Sequence, residues 1–264
     1  MNRIKVLPTH VAHQIAAGEV VERPLSIVKE LVENSIDSNA TKIDIYIEKG
    51  GVSQIKVVDN GDGILKDDLP IALAQHATSK ILNTEDLYSI SSLGFRGEAL
   101  ASIASVAKIK ITSQAKNSDC AYSVDNSLNI EPAAHPKGTS ICVNDLFYSI
   151  PVRRKFLKTE NTEYLNIEQM FNRLAFSHFD IHFRLFKDGK LVKNLPKADD
   201  RAAQDKRLRD ICGLEMLENC SYISVEQNGI TLSGWLGLPT YDRPQGDRQF
   251  FYLNSRSIKD KVVM

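Results

Sequence analysis

Gln54-Ile-Lys-Val-Val-Asp-Asn-Gly-Asp-Gly63 is the stretch on which the reading of this chain turns. Gln54 to Val58 is largely apolar and β-branched, which suits a strand. It runs directly into Asp59-Asn60-Gly61-Asp62-Gly63, a loop by composition. Just upstream, Thr41 to Ile47 alternates, with Ile43, Ile45 and Ile47 on one side, and Gly50-Gly51 makes a turn, so the two strands read as a hairpin. A carboxylate that ends a strand and opens a two-glycine loop can accept a hydrogen bond from an exocyclic amine, and adenine's amino group is the obvious candidate. Gly61 and Gly63 permit positive φ or close backbone approach to a flat ring. Taken alone, the stretch is equally well a plain turn with Asx chemistry. A dinucleotide fold or a P-loop does not fit: Gly61-x-Gly63 lacks a third glycine, and no G-x-x-x-x-G-K-[ST] occurs.

Before the hairpin, Pro24-Leu25-Ser26 suits a helix start, because proline's missing N–H costs nothing there. Ile27, Val28, Leu31, Val32 and Ile36 recur with helical period, and the helix is predicted to run to about Ser38-Asn39. Glu30, Asn34 and Asp37 then fall at i, i+4 and i+7 and make one polar stripe. Such a stripe is most often the solvated side of a helix. Asparagine is a poor choice in mid-helix, however. Its amide oxygen suits a hard cation such as magnesium, and a glutamate one turn earlier can hold a water.

After the hairpin a helix is predicted from roughly Lys66 to Ala77, then a loop from Thr78 to Leu93 with room for one short helix. Both ends of that loop carry phosphate-friendly groups. His76-Ala-Thr-Ser-Lys80 offers the hydroxyls of Thr78 and Ser79 and the ammonium of Lys80. Gly94-Phe-Arg-Gly-Glu-Ala-Leu100 places Gly94, Phe95, Arg96, Gly97 and Glu98 before and at the start of a helix (Gly97 to Ser105) that includes Ala99 and Leu100. Free N–H groups at a helix N-terminus favour phosphate. The bland alternative is a glycine-punctuated loop before a core helix.

Further strands are expected around Lys108–Ser113, Tyr122–Val124 and Ser140–Asn144, with a long helix over Glu163–Ser177. A hairpin of Ile181–Lys187 and Lys190–Leu195 turns at Asp188-Gly189. The charged, proline-containing stretch from Leu195 to Lys206 is the best domain boundary. Beyond it come a helix (Asp205–Cys212), strands turning at Asn228-Gly229, and a strand over Arg248–Leu253. The sequence stops at Met264 inside an apparent helix start, so residues 201–264 read as part of a domain and the whole as a fragment.

Composition is that of a water-soluble globular protein: 264 residues, 42% hydrophobic and 25% charged. No apolar run reaches membrane-span length, and the N-terminus lacks a secretory signal. Four cysteines without C-x-x-C spacing suggest reduced thiols in a cytoplasmic protein. With 33 basic and 33 acidic residues, bulk attraction to nucleic acid is not expected. Arg153-Arg154-Lys155 and Lys206-Arg207-x-Arg209, the densest basic clusters, read as solvated helix starts. His178 and His182 straddle a helix-to-strand change and do not form a metal site.

Several blocks together resemble the MutL family of DNA mismatch-repair proteins. They are Ile15-Ala-Ala-Gly-Glu-Val-Val-Glu-Arg-Pro24, Lys29-Glu-Leu-Val-Glu-Asn34, Asp59-Asn-Gly-x-Gly63, His76-Ala-Thr-Ser-Lys80 and Gly94-Phe-Arg-Gly-Glu-Ala-Leu100. That family belongs to the GHKL ATPases, with gyrase B, Hsp90 and histidine kinases. The resemblance covers nearly the whole chain and is densest from residue 10 to 115. It implies a Bergerat-type α/β sandwich with a mixed sheet over residues 1–200. Part of a second α/β domain resembling ribosomal protein S5 domain 2 would follow over 201–264. It implies ATP and Mg2+ as cofactors, with Glu30 activating water, Asn34 binding magnesium and Asp59 reading adenine. Thr78–Lys80 and Gly94–Leu100 would form lid and phosphate loop, and Thr139, in Gly138-Thr139-Ser140, would support the adenine pocket.

The family also implies slow turnover, an ordering lid, and ATP-dependent homodimerisation through the N-terminal region. Its partners would be a MutS-type mismatch recognition protein, a downstream nuclease and helicase, and DNA bound weakly and without sequence preference. Its setting would be the bacterial cytoplasm, at the nucleoid in use. Two departures stand out. The family's γ-phosphate lysine of the second domain falls beyond Met264, so weak hydrolysis is expected. The family's Asn-Gly-Arg reads Asn254-Ser-Arg256 here, which leaves Arg256 at a DNA-contacting position but alters the turn. The rival reading is a DNA-binding scaffold with structural ATP.

Overall fold

The protein is described by a computed structural model over residues 20–80, 93–94, 97–241 and 249–258. The N-terminal block before residue 20, Phe95, Arg96, most of the expected loop and residues 259–264 lie outside the described residues. Two compact units are distinguished. The first comprises Met1–Phe171 and His182–Asn194, the second Asn172–Ile181 and Leu195–Met264.

In the first unit, helix α1 (Pro24–Asp37) opens on Pro24, as its pattern predicts. It is followed by β1 (Lys42–Glu48) and β2 (Gln54–Asp59), an antiparallel hairpin closed by a 3-10 turn at Lys49–Gly51. A short helix α2 (Asp68–Ile71) and α3 (Ala99–Val106) precede β3 (Lys108–Gln114), β4 (Ala121–Asp125), β5 (Ile130–Ala133) and β6 (Gly138–Asn144). Then come α4 (Pro151–Arg154), α5 (Glu160–Ser177), of which Asn172 onward is counted with the second unit, β7 (His182–Lys187) and β8 (Lys190–Leu195), whose last residue is likewise counted there.

The eight strands form one sheet in the order β5-β4-β3-β6-β2-β1-β7-β8. It is mixed, since β1 pairs parallel with β7 and antiparallel with β2. Alternation decides which face is covered. Ile43, Ile45, Ile47, Ile55, Val57, Ile109, Ile111 and Val143 are buried, as are Ile27, Val28, Leu31 and Val32 of α1, which packs against β2. Each such side chain contributes roughly 1.5–3 kcal/mol by leaving water. The hydrophobic stripe of α1 therefore fixes which way its polar stripe points.

The helix predicted over Lys66–Ala77 is largely absent. Only Asp68–Ile71 is helical, and the chain then tightens, with Leu73 N–H donating to Pro70 O and Ala74 N–H to Ile71 O. Pro70 supplies no N–H, and His76 takes a left-handed φ of 60°, which no helix continues. The four-residue strand β5 went unpredicted, being too short for periodicity to register, whereas α4 falls where Arg153-Arg154-Lys155 reads as a helix start.

The second unit contains α6 (Arg201–Cys212), α7 (Leu214–Glu218), the hairpin β9 (Cys220–Gln227) and β10 (Ile230–Gly237), and the small pair β11 (Phe251–Leu253) and β12 (Arg256–Ile258). Phe176, Leu208 and Cys212 centre its core, with Trp235, Phe250 and Tyr252 around them. Arg207 corrects the expectation of a solvated cluster. It is 2% exposed and donates to the carbonyls of Ala175, His178, Ile181, Leu195 and Pro196. A planar fork with five N–H donors can gather loop carbonyls that an ammonium could not. Burial pushes its pKa down to about 10. Asn254 and Ser255 both have positive φ, 48° and 64°, so the turn forms although serine replaces the more permissive glycine. Arg256 follows on β12, exposed.

Candidate functional site

The site grows from the end of β2, where apolar alternation delivers Asp59 to the covered face, 8% exposed. Asp59 Oδ1 accepts from the amides of Gly61 (3.0 Å) and Thr139 (3.1 Å), and Oδ2 accepts from the Ser35 hydroxyl (2.8 Å). A carboxylate offers about four acceptor positions. Among the described residues three are filled, leaving one on Oδ2. Burial pushes the Asp59 pKa up, against the lowering effect of these three donors.

Glycine makes this arrangement possible. Gly138 has φ 117°, and a Cβ there would stand 2.1 Å from the Asp59 carbonyl oxygen. Only without that atom can β6 cross the end of β2 closely enough for Thr139 to reach Asp59. Thr139, 6% exposed, also places its hydroxyl 2.9 Å from that of Ser113, which donates to Gly138 O and accepts from Ile64 N–H. Gly61 lies against Ser38, where a Cβ would approach the carbonyl oxygen to 2.5 Å; Gly63 lies against Gln114 and Ala115. Both glycines thus admit the chain's own backbone. Asn60 turns back to accept from the amides of Thr41 and Lys42.

On α1, Glu30 is half-buried one turn before Asn34. Asn34 Oδ1 accepts from Lys80 Nζ at 2.8 Å, and the same ammonium lies 2.5 Å from Asp37 Oδ2. Asp37 further accepts from the amides of Leu93 (2.9 Å) and Gly94 (3.2 Å). Gly94 sits so close that a Cβ would be 3.6 Å from Lys80 Nζ. Thr78 Oγ1 accepts from Lys80 N–H at 3.1 Å, and Ser79 lies between them. Gly97, with φ 62°, packs on Ala77, and His76 Nδ1 stands 3.2 Å from Glu98, the N-cap of α3. Ala99 and Leu100 begin α3, which packs beside α1. Residues 76–80, 93–94 and 97–100 are therefore brought together beside Asn34 and Asp37 of the stripe. Phe95 and Arg96 lie outside the described residues, and Arg256 belongs to the second unit.

A magnesium ion fits the chemistry of this cluster in part. Asn34 supplies a hard oxygen that already faces a cation, and no group of three or more His, Cys, Asp or Glu among the described residues could hold a metal unaided. The remaining ligands would be phosphate oxygens and water.

Sequence reasoning gave no role to Ser35, Asp37 or Glu33. Ser35 had a signal: it extends the apolar row Ile27-Leu31, and a hydroxyl in such a row needs a partner. Glu33 is buried beside Lys29 at 3.4 Å, and burial pushes its pKa up.

Comparison with known proteins agrees with this architecture. The family model described as histidine kinase-, DNA gyrase B-, and HSP90-like ATPase matches residues 23–143, and that described as DNA mismatch repair protein, C-terminal domain, matches 208–264. The DNA mismatch repair protein MutL of Pseudomonas fluorescens strain SBW25 is 51% identical over 267 residues, covering 99% of this chain and 42% of that protein. The chain spans about two fifths of the length of such curated relatives. The Aquifex aeolicus MutL ATPase domain complexed with ADP superposes with TM-score 0.68 at 30% identity, covering 92% of this chain and 86% of that one. A crystal structure titled as the N-terminal domain of a DNA repair protein gives TM-score 0.79 at 25% identity, over 96% and 80%. With its mixed sheet, its buried strand-end aspartate and its Glu30–Asn34 helix, the chain belongs to the MutL family and carries the GHKL-type ATPase fold of that family.

Proposed function

We propose that this chain binds ATP with the adenine amino group donating to Asp59 Oδ2, and that it hydrolyses it slowly as a switch in DNA mismatch repair. The observation that carries the reading is the buried Asp59 carboxylate, held by Ser35, Gly61 and Thr139 with one acceptor position left. Asn34 would hold Mg2+, which when bound neutralises charge on the phosphate oxygens. Glu30 would orient a water in line with the γ-phosphorus and take its proton. Backbone N–H groups of the Gly94–Leu100 stretch would receive phosphate oxygens, that of Gly94 once it leaves Asp37. Catalysis of this kind is mainly positioning and electrostatics, so few side chains suffice.

The switch would act through ordering of a lid formed by the Thr78–Lys80 and Gly94–Leu100 blocks and through ATP-dependent pairing of two copies by the N-terminal region. Its partners would be a MutS-type mismatch recognition protein, a repair nuclease and helicase, and DNA, with Arg256 as one contact. Residues 201–264 would belong to an S5-like transducer domain, and the setting would be the bacterial cytoplasm. The support is membership of the MutL family, together with the ADP-complexed Aquifex domain that shares the fold.

Glu30→Ala and Asn34→Ala divide the roles. In the intact protein, calorimetric titration and single-turnover hydrolysis should show Glu30→Ala binding ATP normally but hydrolysing it at background rate. Asn34→Ala should lose the magnesium-dependent part of binding. Parental hydrolysis by Glu30→Ala would refute the base assignment.

A further inference from the structure

Asn34 Oδ1, the atom proposed to meet magnesium, already faces the Lys80 ammonium at 2.8 Å. The contact belongs to a closed arrangement. Lys80 Nζ also lies 2.5 Å from Asp37 Oδ2, and Asp37 is tied to the amides of Leu93 and Gly94. The Lys80 side chain is 22% exposed and that of Asp37 8%. An ammonium is a compact, strongly hydrated point charge, the side chain nearest in kind to a hard metal ion. Gly94 lies beside the pair: a Cβ there would stand 3.6 Å from Nζ and 3.9 Å from Asn34 Oδ1, in ordinary contact with both. One positive charge and a divalent ion at a single amide oxygen repel strongly in so sheltered a place.

We propose that Lys80 is a resident counter-cation at the magnesium position, and that its bond to Asn34 and metal binding at Asn34 exclude each other. Asp37 is then a positioning residue. It keeps the ammonium at the site and compensates its charge, and it is not itself a metal ligand. Metal affinity is thereby set partly by the strength of the Lys80–Asn34 bond, which the arriving ion must break. The inference rests on the ATP-binding reading given above.

The test is equilibrium binding of a fluorescent non-hydrolysable ATP analogue to this chain, with Mg2+ titrated at fixed analogue, for the parent, Lys80→Met, Lys80→Arg, Asp37→Asn and the double variant Lys80→Met/Asp37→Asn. In Lys80→Met the Mg2+ midpoint should fall about tenfold, the worth of one charge-assisted hydrogen bond. Lys80→Arg, which keeps the positive charge but not the compact point charge, should lower the midpoint less than Lys80→Met does. Asp37→Asn, which leaves the Lys80 ammonium uncompensated, should raise the midpoint, and adding Lys80→Met to it should bring the midpoint back to the parent value or below. If Lys80 serves only as a phosphate contact, Lys80→Met will weaken binding at every Mg2+ concentration and leave the midpoint in place, which overturns the proposal. A midpoint still above the parent's in Lys80→Met/Asp37→Asn would make Asp37 a metal ligand, and overturns it as well. A parent chain that binds no analogue at any Mg2+ concentration overturns both this inference and the ATP reading, whereas magnesium-dependent binding with immobile midpoints overturns this inference alone. Thermal unfolding of each variant identifies any that fails to fold, and the remaining variants still decide.

Discussion

The Ser35 hydroxyl reaches across from α1 to donate to Asp59 Oδ2 at 2.8 Å, joining the helix that carries Glu30 and Asn34 to the strand end proposed to read adenine. The same oxygen lies 3.1 Å from the Leu31 carbonyl. Ser35→Ala should therefore destabilise the fold by about 1–3 kcal/mol at neutral pH, because a buried carboxylate loses a donor. Urea unfolding measures this. In an Asp59→Asn background the loss should shrink, giving a non-zero coupling in a double-mutant cycle.

Acidity should act oppositely on stability and on binding. Burial raises the Asp59 pKa above the ordinary aspartate value of 3.8, so the folded state holds that proton more tightly than the unfolded chain. The associated stability is fully present below 3.8 and is lost as pH rises through the raised value. Asp59→Asn, which cannot ionise, should gain about 0.5–2 kcal/mol over the parent above that window. ATP binding should follow the reverse course in the parent, strengthening with pH through the same window as the acceptor ionises. Unfolding and nucleotide titrations between pH 4 and pH 7, roughly the range between the free aspartate pKa and neutrality, check both signs.

Gly138→Ala should be severe. The added methyl would meet the Asp59 carbonyl oxygen at 2.1 Å, at a φ of 117° that side chains avoid. Overpacking and backbone strain together should cost roughly 3 kcal/mol, and Thr139 should lose its bond to Asp59. Denaturant unfolding together with ATP titration reports both effects.

Arg207→Lys should not behave as a conservative change. Five carbonyls of the second unit converge on the guanidinium, and an ammonium has three donors. Breaking this buried network should cost about 3 kcal/mol or more. Hydrogen exchange should locate the loss at α6 and the 195–198 segment, with the first-unit sheet protected as before.

How much of this was legible in the sequence depends on the range of the interaction. Asp59 and the Glu30–Asn34–Asp37 stripe could be read locally, because strand alternation and helical period state which side chains share a face. The Asn254-Ser255 turn was readable as a departure, though its formation rests on β11 and β12 pairing around a serine in the left-handed region. The Lys80 bridge was not legible. It spans 46 residues to Asn34, and no periodic pattern encodes a contact between a loop lysine and a helix asparagine. Arg207 misled for the opposite reason: it sits in a charged run, and what buries it is a set of carbonyls from distant loops. The failed helix after Lys66 shows a proline and a left-handed histidine overruling a plausible apolar count.

The most direct test of the central claim compares ATP with inosine triphosphate, which differs at the position of the exocyclic amine. If Asp59 reads that amine, titration of this chain should show ATP binding and inosine triphosphate binding weaker by about a hundredfold or more, since its exocyclic carbonyl oxygen would face an acceptor across a buried gap. Asp59→Asn should erase most of that preference. Equal affinity for the two nucleotides in the parent chain would contradict the account.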